Sequence, residues 1–147
     1  DSGDLIDQII IKIDEHDNIN DVLDKIDIET KCIIKKNYPL LKKNKIKPIV
    51  QNEKNSTYRE LRTSKHSLIN WNTSATNIHN KIRAITKPYP GAEGFLGKNK
   101  YKFWKSVIPK KSISDKNYIK GYFKFEKDHI MVKCKDKFIL ILDYEKM

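Results

Sequence analysis

Arginine is scarce in this sequence. Of 30 basic residues only Arg59, Arg62 and Arg83 are Arg, and the other 27 are Lys. Bidentate recognition of phosphate favours the planar guanidinium fork, so the lysine excess reads first as a solvated surface and second as a nucleic-acid footprint. Cysteine is equally thin. Cys32 and Cys134 lie far apart, form no CxxC pair and have no His at metal-ligand spacing, which leaves two reduced thiols and no metal site as the expectation. No apolar run approaches bilayer length. No P-loop or dinucleotide fingerprint is present. The first residues, Asp1-Ser2-Gly3-Asp4, are acidic where a secretory leader would be basic, so the expected location is cytoplasmic. The chain opens on Asp1, not Met, and is expected to be a piece of a longer protein.

What is present is a sharp asymmetry of charge. Residues 1–30 carry ten acidic and two basic side chains, whereas residues 31–147 carry nine acidic and 28 basic ones, within a net charge of +11. With 147 residues, the chain has room for one ordinary domain or two small pieces joined by a linker.

Hydrophobic spacing supplies the elements. The Ile-rich stretch Asp4 to Ile13 predicts a strand buried on both faces. From Ile19, apolar residues at Val22, Leu23, Ile26, Ile33 and Ile34 share a helical face, with a cap at Asp17 or Asn18 and an end near Asn37 ahead of Pro39. Leu40 to Ser56 reads as a Lys/Asn-rich connector. Ser74 opens a second helix through Ala75, Ile78, Ile82 and Ile85, stopped by Thr86-Lys87-Pro88 and followed by a rigid turn, Tyr89-Pro90-Gly91-Ala92. Short strands are expected at Lys100–Ile108, Gly121–Phe125, His129–Cys134 and Lys137–Tyr144, with a hairpin at Lys135-Asp136.

Three motifs and the closing strand set, in order, resemble the formyltransferase family, which includes methionyl-tRNA formyltransferase and the sugar N-formyltransferases. Asp1-Ser2-Gly3-Asp4-Leu5-Ile6-Asp7-Gln8 is similar to the family's D-x-G-D-I-I-x-Q. Tyr58 through Arg62 to Ile69-Asn70-Trp71 is similar to T-Y-x-x-x-R…I-x-W. Ile82-Arg83-Ala84 through Pro88-Tyr89-Pro90-Gly91-Ala92 is similar to I-R-A-x-x-x-P-Y-P-G-A. The four-residue D-x-G-D recurs by chance. The R-A…P-Y-P-G-A block behind I-x-W is far more specific.

The resemblance implies an α+β chain. Residues 1–43 would be a strand–helix remnant of the α/β catalytic domain, 44–72 a connector, and 73–147 a helix plus a small antiparallel, OB-like β module. It implies formyl transfer from 10-formyltetrahydrofolate to an amine. The family's catalytic Asn-x-His pair has no counterpart here, since His16, His66, His79 and His129 all lack that context. Asp1 matches the family's catalytic Asp. Gly3 and Asp4 follow it beside the folate. Arg83, Trp71 and Tyr89 are candidates to touch substrate, though each also reads as a structural anchor. Thr86 before P-Y-P-G-A and the short end after Trp71 favour a nucleotide-linked amino sugar as substrate. The basic body favours tRNA. A non-catalytic binding module is a third reading. Expected partners are the missing N-terminal catalytic half or a second chain, including a homodimer, and no membrane.

Overall fold

The structure, a computed structural model, describes residues 3–110 and 118–147. The chain divides into two compact units, Asp1–Leu61 and Arg62–Met147.

The first unit is built on one helix, α1, Ile19–Lys42. Its start is a capping box: the Asn18 side chain accepts from the Asn20 amide at 2.7 Å while Asp21 accepts from the Asn18 amide at 2.8 Å. The helix does not end at Asn37 but runs through Pro39 to Lys42. Proline's missing N–H and its ring disturb only the bond to the Lys35 carbonyl. That loss falls close to the last turn, where carbonyls lack helical partners anyway. The strand expected at Asp4 to Ile13 is absent. The segment is extended but makes one isolated antiparallel bridge, Leu5 to Ile49, with bonds of 2.9 and 2.8 Å. Leu5 and Ile49 exchange both of their bonds, and no neighbouring pair among the described residues continues the ladder. Among residues 3–61 none is buried, and Ile10 is 94% exposed.

The second unit places a short helix, α2 (Ala75–Ala84), on a five-stranded antiparallel sheet: β1 (Ala92–Leu96), β2 (Asn99–Val107), β3 (Phe123–Phe125), β4 (Ile130–Lys133) and β5 (Phe138–Lys146), in the order β1-β2-β5-β4-β3. Ser74 caps α2 as expected, accepting from the Asn77 amide at 3.2 Å. Ala75, Ile78 and Ile82 at helical spacing meet Phe103, Ile130, Val132, Ile139 and Ile141 from the sheet in one core. The hairpin at Lys135-Asp136 also forms, and Asp136 Oδ1 accepts from the Ala75 amide at 2.7 Å, so this turn seals the helix start. β1 was not foreseen. Its inward residues are Ala92, Gly94 and Leu96, too small at two of three places to register as a hydrophobic alternation. The α+β expectation therefore holds, with the first unit contributing a helix and an extended arm instead of a strand and a helix.

Candidate functional site

The motif residues fall in two places, one in each unit. In the first unit, Asp1 lies outside the described residues. Gly3 is exposed, its carbonyl accepts from the Gln51 side-chain amide, and an added Cβ would meet nothing within 4 Å. Within this chain no neighbour demands glycine there. Asp4 is exposed and lines a groove of about 370 Å³ with Leu5, Ile6, Ile33, Tyr38 and Leu41 among its walls.

Asp7, at a variable position of the motif, is the residue that sequence reasoning missed. Its carboxylate accepts from Lys36 Nζ at 2.9 Å, from Asn37 Nδ2 at 2.6 Å and from the Gln8 amide at 2.9 Å. The hydrogen bond from Lys36, then those from Asn37 and the Gln8 amide, hold the carboxyl down at about 2. This pinning ties the D-x-G-D segment to the last third of α1. No local pattern announces a contact between residues about thirty positions apart.

The T-Y end of the second motif stays exposed at Tyr58 in the first unit, whereas in the second unit its I-x-W end and the P-Y-P-G-A block belong to one module. Leu68 bridges Glu93 in parallel, and the Ile69 amide donates to the Glu93 carbonyl at 2.6 Å, so the I-x-W segment lies along the free edge of β1. Trp71 sets its ring edge-on to Phe103 (centroids 5.6 Å apart) and donates its indole N–H to the Phe95 carbonyl at 2.8 Å. Gly94 makes room for this: a Cβ there would stand 3.0 Å from the Phe103 ring and 3.4 Å from Ile69. Lys81 Nζ donates to the Leu68 carbonyl at 2.6 Å, and burial, assisted by the positive charge of Arg62, lowers the pKa of its ammonium.

The P-Y-P-G-A block closes a loop against β2. The Gly91 amide donates to the Ile85 carbonyl at 2.9 Å, Thr86 Oγ1 donates to the Trp104 carbonyl at 2.8 Å, and Lys87–Pro88 is cis. Trp104, which the sequence did not single out, covers Gly91, with the ammonium groups of Lys87 and Lys102 5.1 and 5.6 Å from its ring. Tyr89 is 45% exposed at the tip. Arg83 donates from Nε to Asn80 Oδ1 at 2.9 Å. Of the three substrate candidates, Tyr89 presents its ring to solvent, Trp71 uses its polar atom internally, and Arg83 lies along α2. Among the described residues no group of three or more His, Cys, Asp or Glu is placed to hold a metal. No helix there is long and apolar enough to cross a membrane.

Comparison with known proteins accords with this geometry. Residues 62–147 match the model of the formyl transferase C-terminal domain, with bounds that coincide with the second unit. The bifunctional polymyxin resistance protein ArnA of Wigglesworthia glossinidia brevipalpis is 37% identical over 142 residues, covering 97% of this chain and 21% of ArnA. The N-formyltransferase of Helicobacter canadensis, in complex with folinic acid and dTDP-3-aminofucose, superposes with a TM-score of 0.71 at 26% identity, over 99% of this chain and 51% of that one. WlaRD, a sugar 3N-formyl transferase solved with dTDP and 5-N-formyl-THF, shares the fold with a TM-score of 0.66 at 24% identity. The chain thus spans about half of these solved structures and a fifth of ArnA.

Proposed function

The chain belongs to the formyl transferase family, and from that premise we propose that it is the C-terminal part of a 10-formyltetrahydrofolate-dependent N-formyltransferase acting on the amino group of a nucleotide-linked amino sugar. The observation that carries this reading is the likeness, along 99% of the chain, to an N-formyltransferase complexed with folinic acid and a dTDP-amino sugar.

In the proposed reaction the sugar amine attacks the formyl carbon and forms a C–N bond. The carbonyl becomes a tetrahedral oxyanion. The oxyanion then re-forms the carbonyl, the bond to folate N10 breaks, and the amine proton passes by way of a base to N10. Asp1 is the residue of this chain assigned to that base and to orienting the upstream histidine. Gly3 and Asp4 are assigned to the folate side, and Arg83, Trp71 and Tyr89 to the substrate side. Residues 1–43 serve as the last part of the catalytic domain. The uncovered apolar side chains of the first unit, Ile10 among them, support contact with that domain's remaining half. OB-like closure of the β module belongs to the same proposal.

The test is a fusion of this chain behind the N-terminal half of the Helicobacter canadensis enzyme, assayed with 10-formyltetrahydrofolate and dTDP-3-aminofucose. The fusion is expected to turn over, and Asp1→Asn is expected to lower kcat by about 10²–10⁴-fold. A folded fusion that is inactive with Asp1 intact sinks the reading. The tRNA alternative rests on the basic charge of residues 31–147 and predicts tight, steeply salt-dependent tRNA binding. The isolated chain, lacking an Asn-x-His pair, is expected to show no transfer.

A further inference from the structure

Lys81 is a lysine with no carboxylate to hold its charge. Lys25, Lys31, Lys36 and Lys100 each lie 2.5–2.9 Å from an acidic side-chain oxygen. Among the described residues the Lys81 ammonium has instead the neutral Leu68 carbonyl, 2.6 Å from Nζ. The charged side chain that acts on it is Arg62, of its own sign, exposed at the start of the same unit. Partial burial on α2 also strips water from the ammonium, so both effects favour the neutral amine. A lysine that is partly desolvated and set near another cation is an activated nucleophile.

We infer that Lys81 is an acylation site, a nucleophilic amine that takes the acyl group of a small acyl phosphate. The inference rests on the second unit alone and is independent of formyl transfer. The ammonium first gives a proton to solvent. The Nζ lone pair then attacks the acyl carbon, a C–N bond forms, the C–O bond to phosphate breaks, and the phosphate anion departs. A second proton leaves nitrogen for solvent, and the product is a neutral amide. Arg62 selects the donor class, because its positive charge favours an anionic acyl donor and an anionic leaving group. The product also suits the fold. An amide keeps one N–H, which is all that the bond to the Leu68 carbonyl uses, while acylation removes a charge from a partly desolvated place and from the field of Arg62.

Acetyl phosphate is the probe. The folded full chain is incubated with it at about pH 8, and acetylation of each lysine is followed at low conversion by peptide mass spectrometry. Lys81 is expected to react several-fold faster than the exposed Lys47 and Lys127. In guanidinium chloride this lead should vanish, because the fold creates it. Arg62→Gln, a change at an exposed position, should remove much of the lead in the folded chain. A neutral succinimidyl acetate should give Lys81 a smaller lead than acetyl phosphate does. Equal rates at Lys81, Lys47 and Lys127 in the folded chain overturn the inference. A larger lead with the neutral ester overturns the acyl phosphate as donor, and a lead untouched by Arg62→Gln overturns the part given to Arg62.

Discussion

Gly91 is the residue whose identity the structure explains most fully. Its φ of +87° lies where L side chains are strained, and a Cβ would stand 2.7 Å from Trp104 Cζ3 and 2.9 Å from Cη2. The backbone cost and the steric cost act together, and the indole cannot retreat far, because Thr86 holds its carbonyl and two lysines flank its ring. Gly91→Ala is expected to destabilise the second unit by about 2–3 kcal/mol, read as a lower denaturation midpoint with unchanged slope. A neutral Gly91→Ala would mean that the loop swings off Trp104 at little cost. Trp71 gives the complementary lesson. At a motif position it reads both as a substrate candidate and as a structural anchor, and the anchor's contacts are in place: its indole N–H is bonded to the Phe95 carbonyl and its ring packs edge-on to Phe103.

Between elements, the contact with the clearest consequence joins the β4–β5 hairpin to the start of α2. Asp136 is partly desolvated, which raises its pKa, but hydrogen bonds from the Ala75, Asp136 and Lys137 amides outweigh this and leave it below the usual carboxylate value. A depressed carboxyl contributes stability above its unfolded pKa, and that contribution fades as pH falls through the folded value. The second unit should therefore lose stability on acidification below about pH 4. Asp136→Asn should flatten that pH dependence and cost about 1 kcal/mol near neutrality, toward the low end because the side chain is exposed. Melting temperatures of both proteins from pH 3 to 7 check this, and parallel curves would refute it.

Legibility from sequence divides along the same lines. Ser74, Ile78 and Ile82 announced α2, and the short segments Lys100–Ile108 and Lys137–Tyr144 announced β2 and β5, because cap chemistry and short apolar stretches are local. β1 went unseen because Ala92 and Gly94 carry too little side chain. The stretch from Asp4 to Ile13 was overread because an apolar run does not reveal whether a partner strand is present. The Asp7–Lys36–Asn37 cluster and the Trp104–Gly91 contact each depend on tertiary approach, which no spacing encodes.

At the scale of the whole molecule the two units differ in what holds them. The second has a continuous core from Ile69 to Ile141, whereas the first buries no described residue and depends on the α1 cap, the Asp7 cluster and the Leu5–Ile49 bridge. Hydrogen exchange is expected to be fast throughout Asp1–Leu61 and slowest in β2, β4 and β5, and uniform protection across the chain would contradict this. The placement of the chromophores adds a practical consequence. Trp71 and Trp104 are the chain's two tryptophans and both belong to the second unit, while the longer helix, 24 residues against 10, belongs to the first. Indole emission therefore reports on the sheet module, and ellipticity at 222 nm reports chiefly on α1. The two signals together give a separate optical handle on each half of the molecule without any label.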